Sequence, residues 1–235
     1  MSQKVSYLPA LRFRVLTPLF DLVVRWGMRE LTIKRYLVQH AQIGSRSRVL
    51  DLGSGTGTLA ILAHTMHPDA ELIGIDVDPD ILAIARAKAA REKAGIRFNQ
   101  GMAFSLPYDS RSFDRVVSSL VFHHLTTRDK ERTLAEVRRV LNPGGLVLIL
   151  DFGKPQNALA WLIGQVLQRI EPSGDLQRGV LPALMEQAGF IQVEVVARFM
   201  TAFGTVALYR GQKLNSEFVQ SIPVSAHLFA NRIPQ

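Results

Sequence analysis

From Arg48 onward, short apolar runs alternate with longer stretches whose apolar positions recur every three or four residues. That alternation predicts a parallel sheet wrapped by helices. "RVLDL" reads as a strand and "GTLAILAHTM" as the helix after it; "ELIGID" is the next strand. Asp78 then caps a helix with Pro79 at its first position, running through Ile81, Leu82, Ala85 and Ala89. "IRFNQG" and "FDRVVSSL" are expected as the third and fourth strands. "RDKERTLAEVRRVL" places Leu134, Val137 and Leu141 on one helical face and stops at "NPGG". "GLVLILDF" is continuous enough to be a strand buried on both faces. Past Phe152 the rhythm changes. Residues 156–180 read as irregular helix, "LPALMEQAGF" as a short helix, and "IQVEVVARF" with "TVALYRGQ" as an antiparallel pair.

Composition narrows the classes. The 235 residues are 47% hydrophobic, enough for one sizeable core. The chain has no cysteine, which removes disulfides, thiolate metal sites and cysteine nucleophiles, and fits a reducing, cytoplasmic setting. Pro9, Arg12 and Arg14 interrupt any signal-like run, and the longest apolar stretches are too short to span a bilayer. The net charge of +8 sits mostly in residues 1–48, where nine Lys and Arg face only Asp21 and Glu30. Interleaved with Leu11, Phe13, Phe20, Val23, Trp26 and Tyr36, this leader suits peripheral contact with an anionic membrane surface or an amphiphilic substrate. Amphipathic helices covering the domain with solvated arginines explain the same pattern and are preferred. The expected organisation is a helical leader or lid at 1–47, a domain at 48–212 with a lid insertion at 152–180, and an extension at 213–235.

The chemistry concentrates in "VLDLGSGTGTLA" (Val49 to Ala60). Gly53, Gly55 and Gly57 follow a strand and open a helix, where bare backbone and free N–H groups can approach a ligand. The dinucleotide fingerprint would need a glycine at Thr58, so the G-x-G-x-G spacing departs from it. Asp51 would repel a pyrophosphate there but can accept hydrogen bonds from an ammonium. Asp76, at the tip of the second strand, is placed to accept both hydroxyls of a ribose. An amino acid joined to a ribose describes S-adenosylmethionine.

"VLDLGSGTGTLA", "IGIDVDPDIL", "LPYDSRSFDRVVSSLVFHHL" and "RVLNPGGLVLILD", in order over Arg48 to Phe152, resemble the motifs of class I S-adenosylmethionine-dependent methyltransferases. "LDFGKP", "AGF" and "GTVALYRGQK" resemble more narrowly the ubiquinone/menaquinone C-methyltransferase group and its phospholipid N-methyltransferase-like kin. The resemblance implies an α/β, Rossmann-like fold: a seven-stranded, mostly parallel sheet with helices on both faces and a C-terminal antiparallel strand pair. It implies S-adenosyl-L-methionine as methyl donor, with S-adenosyl-L-homocysteine as product. By matched position, Gly53, Gly55 and Gly57 wrap the methionine part, Asp76 holds the ribose and Val77 flanks the adenine. Met102 stands where an aspartate commonly reaches the adenine, leaving Met102, Ala103 and Phe104 as apolar cover and backbone. Ser119 and Leu120 end the fourth strand beside the sulfonium and the acceptor.

Methyl transfer from a sulfonium needs alignment and exclusion of water; a base matters only when the acceptor must lose a proton. His123 and His124 lie just past the fourth strand, at the edge where such folds bind ligands, and are the candidate catalytic residues, with His124 slightly preferred. Packing of the "HHL" loop is an equally weighted alternative, and the close quinone-methylating relatives often lack this pair. Asp151 reads equally as an acceptor ligand or a helix cap. Tyr108 and Asp109 read as turn and rim residues, and His40, His64, His67 and His227 show no metal spacing. The expected activity is methyl transfer to a small lipophilic or amphiphilic acceptor, a quinone precursor or a phospholipid. RNA or protein methylation and non-catalytic cofactor binding are the alternatives. Nucleic acid is disfavoured, because no Asn/Asp-Pro-Pro-aromatic segment follows the fourth strand and no RNA-binding module is appended. Oligomerisation is left open.

Overall fold

A computed structural model describes residues 30–158, 160–161, 179–201 and 204–215. The leader up to residue 29, most of the expected lid at 152–180 and the tail from residue 216 lie outside the described residues.

Helix α1 (Glu30–His40) precedes β1 (Arg48–Leu52), and the expected alternation then runs as predicted. It comprises α2 (Thr58–Met66), β2 (Glu71–Asp76), α3 (Pro79–Arg91), β3 (Arg97–Gln100), β4 (Phe113–Ser119), α4 (Thr127–Val140) and β5 (Leu141–Phe152). Helix α5 (Leu181–Gln187) and strands β6 (Phe190–Thr201) and β7 (Gly204–Lys213) complete the described elements. The seven strands lie in the order β3-β2-β1-β4-β5-β7-β6. β1 to β5 are parallel, and β7 runs antiparallel between β5 and β6. The strand order reverses between β1 and β4, and in open α/β sheets that switch opens a crevice at the carboxyl ends of the strands.

Strand alternation sorts the core into two faces. Leu50, Leu52, Ile73, Ile75, Val147 and Ile149 pack with α4 and α5, while Val49, Leu72, Val117, Leu148 and Leu150 pack with α1 and α2. By the same parity Asp51 and Asp76 belong to the α1–α2 face, and Asp151 to the α4 face. Asp78 caps α3 as expected, accepting from the amides of Asp80 (2.9 Å) and Ile81 (3.3 Å), with Pro79 at the first turn.

One boundary differs from the sequence expectation. Leu141 does not extend the α4 face; it is already extended backbone and pairs with Phe113 as the first residue of β5. "NPGG" lies inside the strand as a bulge, since the next pair is Arg115 with Leu146. Asn142 Nδ2 donates to Asp114 Oδ1 (2.8 Å) and fixes this kink to β4.

Gly57 has φ +76° at the start of α2, and a Cβ there would sit 2.9 Å from Phe98 Cζ and 3.1 Å from Ala85 Cβ. Gly57→Ala therefore combines left-handed strain with overpacking of the α2–α3 contact. It is expected to cost about 2–3 kcal/mol, or about 5–10 °C of melting temperature in a chain of this size. Scanning calorimetry checks this, and an unchanged melting temperature would show that Phe98 simply yields.

Candidate active site

The first turn after β1 hangs from the end of β2. The amides of Gly53 (2.8 Å) and Ser54 (2.9 Å) both donate to the Ile75 carbonyl. Asp76 then grips the loop's centre: Oδ2 accepts from the Gly55 amide (2.8 Å) and Oδ1 from the Asp78 amide (3.1 Å). A Cβ on Gly55 would meet nothing within 4 Å among the described residues, and its backbone has φ +52°. Gly53 differs, because any side chain there would overlap Val121. Gly57 faces Phe98. The three glycines thus form one cradle, with only the middle one open towards the crevice.

Asp51 is 1% exposed, and its Oδ2 has no hydrogen-bond partner among the described residues. Burial pushes its carboxyl up to about 7, against the opposing pull of Lys34 and the Ala60 amide, while Asp76 adds a small upward push. A buried acid without a full set of donors suits a cationic ligand that brings its own. Ser54 Oγ in the glycine turn and Ser119 Oγ at the tip of β4 are also buried without a hydrogen-bond partner among the described residues.

The far side of the crevice begins after Asp76. Val77 is half-buried, and its carbonyl accepts from Gln100 Nε2 (3.1 Å). The Gly101 amide donates to the Asp76 carbonyl (2.9 Å), and a tight turn closed by the Ser105 amide on the Met102 carbonyl (3.1 Å) carries Met102, Ala103 and Phe104. All three are half-buried. The Arg132 guanidinium lies 4.5 Å from the centre of the Phe104 ring. Arg139 of α4 pins the following loop through the carbonyls of Tyr108 (2.7 Å) and Leu106 (3.1 Å). Tyr108 itself receives Asn99 Nδ2 (3.0 Å) and packs edge-on to Phe113, so it is a packing residue of the turn. Asp109 is exposed.

At the end of β4 the chain turns through Leu120, whose φ of +59° is rare for a bulky side chain. Its amide donates to the Leu150 carbonyl (2.8 Å). Val121 then covers Gly53, and a short 3₁₀ turn (Phe122–His124) follows. Asp151, fully buried at the end of β5, organises this turn. Its Oδ2 accepts from the amides of Val121 (3.0 Å) and Phe122 (2.7 Å), and its Oδ1 from the Phe152 amide (2.8 Å) and His123 Nδ1 (2.9 Å). Burial alone would raise the Asp151 carboxyl. The charge and hydrogen bond of His123 and the Phe152 and Phe122 amides outweigh it and hold the carboxyl below its ordinary value. An ionised acceptor requires Nδ1 to donate, which makes Nε2 the basic nitrogen of the neutral ring.

The structure therefore separates the two histidines. His123 is 5% exposed, bonded to Asp151 and edge-on to Phe152; His124 is exposed, its ring 3.8 Å from that of His123 between centroids and tilted by 45° to it. Asp151 is the cap that the sequence offered as one alternative, and also the partner of His123. Two neighbours of the site were not singled out from sequence. Tyr209 of β7 donates to the Phe152 carbonyl (3.4 Å); burial, then the Asp151 charge, push its hydroxyl up to about 12. Lys34 of α1 lies within electrostatic reach of Asp51. Its spacing to Leu37 and Val38, three and four residues on, could have marked it as facing inward.

Among the described residues no group of three or more His, Asp or Glu could hold a metal ion. No described helix is long and apolar enough to cross a membrane.

Comparison with known proteins identifies the fold's chemistry. A methyltransferase domain profile matches residues 49–145. A demethylmenaquinone methyltransferase of Thermus thermophilus is 32% identical over 226 residues, covering 86% of this chain and 99% of that protein. A demethylmenaquinone methyltransferase of Deinococcus radiodurans is 34% identical over 205 residues, covering 85% and 82%. The chain belongs to the class I S-adenosylmethionine-dependent methyltransferases. A solved structure of phosphoethanolamine N-methyltransferase 2 from Haemonchus contortus, in complex with S-adenosyl-L-methionine, shares the fold. Its TM-score is 0.68 at 16% identity, covering 86% of this chain and 59% of that one. The methyltransferase fold and its cofactor, S-adenosylmethionine, are thus those that the four motifs implied. The residues present fit that cofactor: a buried acid with an orphaned oxygen, a glycine whose missing Cβ opens on the crevice, and a second acid on the adjoining strand tip.

Proposed function

We propose that this methyltransferase methylates a ring carbon of a quinone precursor, a lipophilic acceptor that must lose a proton. The carrying observation is the buried His123–Asp151 pair at the crevice edge. A hydroxylated ring gains its nucleophilic carbon by giving up a proton, and the pair stands where a base could take it. The two relatives described above are named for a demethylated menaquinone, which is a substrate of this class.

When bound, S-adenosylmethionine supplies an electrophilic methyl group on a cationic sulfur. Asp51 accepts from the ammonium of the amino-acid end, and the backbone of Gly53, Gly55 and Gly57 lines that end. Asp76 takes the ribose hydroxyls on the lone pairs left by the Gly55 and Asp78 amides. Val77, Met102, Ala103 and Phe104 enclose the adenine. Ser119 and Leu120 flank the reacting centre. Nε2 of His123 receives the acceptor's proton, and Asp151 stabilises the imidazolium that results. His124, exposed, buttresses the His123 ring.

Incubation with methyl-tritiated S-adenosylmethionine and a reduced demethylated naphthoquinone tests the reading. Label is expected in the organic extract. Label confined to RNA or protein, or absent altogether, would overturn it. Asp76→Ala is expected to weaken cofactor binding at least about 10-fold by calorimetry, the loss of hydrogen bonds to a charged acceptor. Undiminished affinity would remove Asp76 from the ribose.

A further inference from the structure

Helix α1 brings the Lys34 ammonium within electrostatic reach of Asp51. Lys34 lies on the ridge of α1 shared with Leu37 and Val38, both fully buried against the sheet face that carries Val49 and Asp51. Its side chain is only 13% exposed. Glu30, one turn earlier, pairs with the ammonium at 2.5 Å and directs it back along the helix. That pair uses one of three ammonium donors. With Asp51 ionised, Glu30, Lys34 and Asp51 together carry a net charge of −1. The sulfonium, ammonium and carboxylate of S-adenosylmethionine together carry +1.

We propose that Lys34 is a cofactor-binding residue whose ammonium holds the carboxylate of the methionine moiety while Asp51 holds its amino group. This rests on the assignment of Asp51 above. Two oppositely charged contacts, one from a strand tip and one from α1, recognise a zwitterion rather than a cation. The site is therefore selective for the intact amino acid, and decarboxylated S-adenosylmethionine is discriminated against. Electrostatic support comes from Asp51 itself, whose carboxyl feels Lys34 more strongly than any other charge. Were Lys34 present only to neutralise Asp51, every ligand bound through Asp51 would respond to its loss alike.

Titration calorimetry with S-adenosylmethionine and with its decarboxylated analogue tests the assignment, since the two differ only in the carboxylate. The protein is expected to bind the intact compound at least about 10-fold more tightly, the worth of one partly buried charge-assisted contact. Lys34→Met, which keeps the apolar stem, is expected to lower that affinity by about 10-fold or more and to leave the analogue within about 2-fold. Lys34→Arg should restore most of the preference and serves as the folding control. An equal loss for both compounds, or no loss for either, would overturn the assignment. Failure of the unaltered protein to bind either compound would instead overturn the Asp51 reading beneath it.

Discussion

Asp51→Asn is expected to make the protein harder to unfold and almost unable to bind its cofactor. The carboxyl is displaced upward to about 7 from an ordinary 3.8, chiefly by burial. A group whose native value is raised holds its proton in the folded state while the unfolded chain has already lost it. Stability therefore falls as pH climbs from about 4 to about 7, and the penalty is complete above that. A displacement of this size corresponds to about 4 kcal/mol, of which a neutral amide, itself costly to bury, would recover about half. At about pH 8 the variant should melt about 4–8 °C higher, and its pH dependence between about 4 and 7 should flatten. Binding moves the other way, because a ligand ammonium needs the ionised acid. Removing the charge from a buried pair costs about 3–5 kcal/mol, about two to three and a half orders of magnitude in affinity. In the unaltered protein, cofactor affinity should decline below about pH 7, because protonated Asp51 must release its proton before it can bind the ammonium. Melting curves and calorimetry across pH check both halves. A destabilised variant, or one that binds normally, would place Asp51 outside the site.

The second large effect is expected at His123. Loss of a positioned base costs about 10²- to 10⁴-fold in rate. His123→Ala should show that fall in kcat with cofactor affinity within about 2-fold of the parent, because no cofactor contact is assigned to the ring. Added imidazole should restore part of the rate by entering the space left behind. Asp151→Asn should lower kcat in the same direction and less steeply, since the amide oxygen still accepts from the turn. Unchanged turnover in His123→Ala would reassign the pair to packing and favour an acceptor that needs no base.

Most of the sheet was legible because buried parallel strands are short, apolar and punctuated by helix signals such as Asp78-Pro79. The end of α4 was less so. Leu141 fits the helical face by spacing, and only pairing with Phe113 across the bulge decides against it. The glycine cradle and both strand-tip acids were readable, since ligand chemistry constrains them locally. The division of labour between His123 and His124 was not. Adjacent residues are equivalent in one dimension, and the partner that separates them, Asp151, lies 28 positions away on another strand. Lys34 and Tyr209 escaped for a related reason: their relevance comes from α1 and β7 folding over tips set elsewhere in the chain.

The turn through Leu120 joins two parts that enzymes often keep separate. Val121 leans on Gly53 with its side chain and is tied to Asp151 by its amide, so the carrier of the imidazole rests directly on the cradle. Whatever settles the glycine turn also settles the ring two residues further on. A base at His123, as proposed, would be aligned before the acceptor arrives, the physical condition for a compulsory sequence of substrate addition.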